Sequence, residues 1–80
     1  MKQKIFAICD TEEAYAIRLT EYMLEKIRLP YALHLFTQVE ELQKFMQQEE
    51  VEILLIAENA LRILREEYVR RQVAKLFVLQ

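Results

Sequence analysis

The chain has no glycine and no tryptophan, and only one cysteine, one proline and one histidine in 80 residues. Without glycine the backbone cannot approach a pyrophosphate closely at a first strand-to-helix turn, so a dinucleotide site of the Rossmann kind is excluded. The acids that follow the first apolar run, Asp10, Glu12 and Glu13, would in any case repel phosphate from a helix start that ordinarily attracts it. The lone Cys9 rules out a disulfide framework and leaves a structural zinc ion without partner thiols, which suits a reducing, cytoplasmic setting. His34 has no second histidine to share a metal or a proton relay, and reads as an edge residue facing solvent or a hydrogen-bond partner. Long apolar runs are missing too. The stretch behind Lys2 and Lys4 extends only from Ile5 to Cys9, too short for a signal-peptide core or a direct membrane insertion. Eleven basic and thirteen acidic residues give a net charge of −2, so no field for nucleic acid is present.

What is abundant is apolar side chain, 54% of the residues. A domain this small buries only about 60–65% of its unfolded surface, so a dense core is required, and one domain is the most the length allows. Four short aliphatic runs read as strands: Ile5 to Cys9, Tyr31 to Phe36, Val51 to Ala57, and Leu76 to Leu79. Between them, apolar residues recur at helical spacing. Tyr15, Leu19, Tyr22, Met23 and Ile27 mark a first helix, with the tyrosines as its core and rim. Val39, Leu42, Phe45 and Met46 mark a second, and Leu61, Leu64 and Tyr68 a third. Asp10 with Glu13, and Thr37 with Glu40, have the spacing of capping boxes, and Asn59 is placed to cap the third helix. Pro30 precedes strand two, where a missing N–H does least harm.

Alternating strands and helices predict a βαβ rhythm and a parallel sheet. Strands one, three and four are apolar at nearly every position, as when helices cover both faces, whereas strand two carries His34 and follows proline, as an edge does. Right-handed crossovers then predict the order 2-1-3-4, the opening of the flavodoxin-like series, in a three-layer α/β/α arrangement. The full series needs a further helix, strand and helix, so the chain reads as truncated after strand four: a single domain over 1–80, either the N-terminal fragment of a longer protein or a short variant.

Ligands of such sheets bind beyond the carboxyl ends of the strands, where Cys9, Asp10, Ala57, Glu58 and Gln80 fall. Here a resemblance becomes specific. Lys4 to Asp10 is similar to the first strand of response-regulator receiver domains, which usually ends in two acids, and Glu52 to Ala57 is similar to the third, which ends in the phosphorylated aspartate. That chemistry needs clustered carboxylates, because Mg²⁺ takes oxygen ligands and the phosphoryl group adds charge. Of the cluster only Asp10 remains. Cys9 replaces its companion acid, Ala57 stands at the phosphoacceptor position, and Gln80 at that of the switch hydroxyl. Glu58 offers a carboxylate one residue late, but in a strand a slip of one residue points to the other face. The site residues are therefore read as a degenerate receiver site, with no catalytic residue, no metal and no cofactor.

Over its whole length the chain resembles the atypical N-terminal receiver domain of the MinD/ParA-like ATPases of tight-adherence pilus systems, the TadZ or CpaE type. The resemblance implies a non-enzymatic, bacterial module that positions an attached ATPase through protein–protein contact, as a homodimer or by docking to that ATPase. No Walker motif is present, so ATPase activity would belong to sequence beyond Gln80. The alternatives are a phosphorylatable receiver with an unusual acidic site and a free-standing dimerising module. An interface is expected on helix three and strand four, at Leu61, Leu64, Tyr68, Leu76, Phe77 and Val78, because an apolar edge with unpaired N–H and C=O groups is a template for another strand. Arg62, Arg65, Arg70, Arg71 and Lys75, offset by Glu66 and Glu67, read as a solvated helix face.

Overall fold

A computed structural model of the chain describes residues 3–26 and 31–79; the predicted roles of Ile27, Pro30 and Gln80 fall outside them. The elements run β1 (Lys4–Cys9), α1 (Glu13–Lys26), β2 (Tyr31–Phe36), α2 (Val39–Gln48), β3 (Val51–Ala57), α3 (Glu58–Leu64), α4 (Glu66–Gln72) and β4 (Val73–Leu79). The strands form one parallel sheet in the order β2-β1-β3-β4. The fold is therefore α/β with flavodoxin-like strand order, as the run-and-helix rhythm predicts.

One face of the sheet presents Ala7, Cys9, Leu54 and Ile56 to α2, α3 and α4, which close over it with Val39, Leu42, Met46, Ala60, Leu61, Leu64 and Val69. The other face carries Phe6 and Ile8, both buried, where α1 lies across β1 and β2 with Ala16 as its buried contact. Half-buried Leu19, Thr20 and Met23 complete that stripe, so the buried line runs through Ala16, not through the tyrosines. Tyr15 and Tyr22 are exposed; a small residue at 16 lets the helix approach the sheet, and the tyrosines are left on its flank.

Three further expectations are corrected. Asp10 does not close a capping box with Glu13: its Oδ1 accepts from the Glu12 N–H at 2.9 Å, while its own N–H donates to the Phe36 carbonyl at 3.1 Å. The first turn of α2 begins with Leu42 N–H donating to the Gln38 carbonyl, so Gln38 is the N-cap, without a side-chain bond, and Thr37 stands outside. Asn59 is the second residue of α3, not its cap.

The third helix is two helices, broken at Arg65, whose φ of 71° and ψ of 125° are neither helical nor comfortable for a residue with a Cβ. The break turns Val69 into the core and leaves Tyr68 half-buried against it. β4 starts three residues earlier than its apolar run and is mostly exposed. It is an edge strand, covered by α4 on one face only. No helix among the described residues is long and apolar enough to cross a membrane.

Candidate functional site at the carboxyl edge of the sheet

The ends of β1 and β3 are set level by the register, in which Cys9 pairs with Ile56. Asp10 and Ala57 are the next residues on each strand, and together with Tyr15, Glu58, Asn59 and Leu79 they line an open hollow of about 210 Å³. Four of the five residues expected there are thus placed at this edge: Asp10, Ala57 and Glu58 in the hollow, and Cys9 buried directly behind it.

Each has a definite state. Asp10 is buried, and one carboxylate oxygen is occupied by the Glu12 N–H. Cys9 is fully buried, and its thiol is pushed up to about 12 by that burial and, secondarily, by the Asp10 charge. It therefore stays protonated at neutral pH and is neither nucleophile nor ligand. Ala57 contributes a methyl group only.

Glu58 corrects the alternation argument. Strand pleating stops at Ala57, and Glu58 is already the first residue of α3, so the two-residue period no longer sets its direction. It reaches the same hollow as Asp10. Its carboxylate pairs with Arg62 one turn on, and it also borders a larger cleft of about 530 Å³ with Leu61, Arg62, Arg65, Glu66 and Val78.

Reasoning from strand ends overlooked a link across the hollow. Asn59 Nδ2 donates to Thr11 Oγ1 at 3.3 Å, tying the loop after β1 to the start of α3. Two short polar residues, each two positions past a strand end, were the available signal.

These residues do not fit a receiver's Mg²⁺. Among the described residues no group of three or more His, Cys, Asp or Glu side chains is gathered to hold a metal. One half-occupied carboxylate beside a protonated thiol and an arginine-paired glutamate makes a poor oxygen-ligand set.

No family model, curated protein or solved structure matches the chain. The assignment of function therefore rests on residues and geometry.

Elsewhere, His34 packs its ring on Phe45 at 4.8 Å between centroids, so it serves α2 packing on the edge strand. Arg62 and Arg70 pair with Glu58 and Glu66 at helical i,i+4 spacing, in the favourable order with the acid first. Leu61 and Leu64 are buried in this chain's own core and are not available to a partner. Tyr68 and Leu76 are half-buried against the same core, whereas Phe77 and Val78 are exposed on β4.

Proposed function

We propose that this chain is a non-catalytic pseudo-receiver module that accepts no phosphoryl group and works through protein–protein contact. The observation that carries this reading is Ala57, which stands level with buried Asp10 at the carboxyl end of the central strand and has no atom that can accept a phosphoryl group. Pleated alternation no longer argues against Glu58, but its ion pair with Arg62 does. What the chain offers instead is surface: a seven-residue edge strand with one charge, Lys75, and exposed Phe77 and Val78. An edge this apolar supports self-association or docking to an attached domain. The resemblance to the TadZ/CpaE type points to a MinD/ParA-like ATPase of a pilus system as that domain, in the bacterial cytoplasm.

The test is amide chemical shifts on adding beryllofluoride with Mg²⁺. The account expects no shift at Asp10, Thr11, Ala57 or Glu58. Saturable shifts confined to these residues, abolished by Glu58→Gln, would establish a working acidic site.

A further inference from the structure

The face of the sheet under α1 is only half covered. In β3 the residues facing α2 and α3, Leu54 and Ile56, are wholly buried, while their neighbours Ile53 and Leu55 are only half-buried. The register places Ile53 beside Lys75, Leu55 beside Phe77 and Ala57 beside Leu79, and residues paired in a parallel sheet share a face. β3 and β4 therefore offer one apolar strip, with Lys75 at its amino end. Tyr15 meets Leu79 at the other end, and Tyr22, two helical turns along α1, lies on the same flank. The exposed aromatic side chains among the described residues are Tyr15, Tyr22 and Phe77, at 48%, 56% and 53%, and all three border this strip.

We infer that the strip is a docking groove for an amphipathic helix of a separate partner protein, lying antiparallel to the strands with its carboxyl-terminal turns acidic. This rests on the interaction-module reading and names the surface and the partner's chemistry. A parallel sheet is stable with helices on both faces, so the cover that fits is a helix. Two strands about 4.8 Å apart leave a trough about one helix diameter wide. A strand of seven residues runs about 23 Å, the length of about 15 helical residues.

Charge sets the direction. At the amino end of the strip stand Lys75 and, across it, Lys26, whose Nζ lies 5.4 Å from the Tyr22 ring centroid. At the carboxyl end stand Asp10 and Glu58. A helix presents partial positive charge at its N-terminus and negative at its C-terminus, so it fits with its N-terminus toward Asp10 and its C-terminus between the lysines. Carboxylates in its last turns add to that match. A second copy of this chain fits worse, because the outward crest of α1 carries Arg18, Glu21 and Glu25, all exposed, and would press them onto the apolar floor.

Two stapled helical peptides of about 15 residues, with one identical Leu/Ala face, test this on the 80-residue chain. One has Glu in its last two turns and Lys in its first two; the other is reversed. Fluorescence anisotropy is expected to show the first binding about tenfold or more tighter, with Phe77→Lys weakening it about tenfold and Lys26→Glu with Lys75→Glu inverting the preference. Equal binding of the two peptides, or binding indifferent to Phe77→Lys, overturns the groove. So does sedimentation as a dimer that Phe77→Lys dissolves, because the strip is then covered by a second copy. These outcomes do not bear on the non-phosphorylated site, which beryllofluoride tests separately.

Discussion

Replacing Arg65 by glycine should stabilise the fold although it removes a large side chain. Arg65 joins α3 to α4 with φ 71° and ψ 125°, a region where a Cβ collides with the flanking peptide groups. Such a residue costs of order 1–3 kcal/mol. The side chain makes no ion pair or hydrogen bond among the described residues and is exposed, so little is lost with it. The two backbone bonds at this position, Arg65 N–H to the Leu61 carbonyl at 2.9 Å and Val69 N–H to the Arg65 carbonyl at 3.2 Å, remain available. Against the relief stands the greater freedom of an unfolded glycine, about 0.5–1 kcal/mol. The balance is a gain of about 1 kcal/mol, which for a domain of this size raises Tm by about 6 °C. Circular-dichroism melts of the wild type, Arg65→Gly and Arg65→Ala decide it. Alanine keeps the Cβ and should match wild type. If glycine is no better than alanine, the backbone at 65 is not in the left-handed region, and the account of the helix break is wrong.

Other expectations follow from the same geometry. Cys9 should resist thiol reagents in the folded protein at neutral pH and react at once in denaturant. Its thiol, raised from 9.0 to about 12, contributes stability that is whole below pH 9 and is lost as pH rises toward 12, by about 1.4 kcal/mol per pH unit. Urea midpoints at about pH 8 and about pH 10 should therefore fall less in Cys9→Ala than in wild type, and parallel falls would contradict the burial of the thiol. Asp10→Ala should cost about 1 kcal/mol by removing the acceptor of the Glu12 N–H, with Asp10→Asn costing less; equal losses in a melt would show that the turn is not what Asp10 supports. Leu42→Ala, at a fully buried position of α2, should cost about 2–5 kcal/mol in chemical denaturation.

The sheet was legible because its strands are contiguous β-branched or aliphatic runs and its helices carry period-3.6 stripes. β2 and β3 have the bounds their runs predict, and the order 2-1-3-4 follows from crossover handedness. The carboxyl edge was legible as well, since strand ends fix which residues gather there. What the pattern could not convey was local. The pause at Arg65 has no glycine or proline to mark it, so α3 and α4 read as one helix. The tyrosines of α1 satisfy an apolar period as well as Ala16 does, and only the close approach of helix to sheet decides which flank is buried. Leu61 and Leu64 were read as spare surface because the bend at Arg65, which brings Val69 into the same core, was invisible. The direction of Glu58 depended on where pleating stops, a boundary of one residue.

The central claim is that a receiver-like fold here carries no phosphoryl-accepting site, and intact mass after incubation with acetyl phosphate and Mg²⁺ tests it most directly. The account predicts an unchanged mass for the wild type and for Ala57→Asp, because a new carboxylate at 57 would still lack a metal site beside Cys9 and the half-occupied Asp10. A stable gain of one phosphoryl group in the wild type, lost in Glu58→Gln, would contradict it.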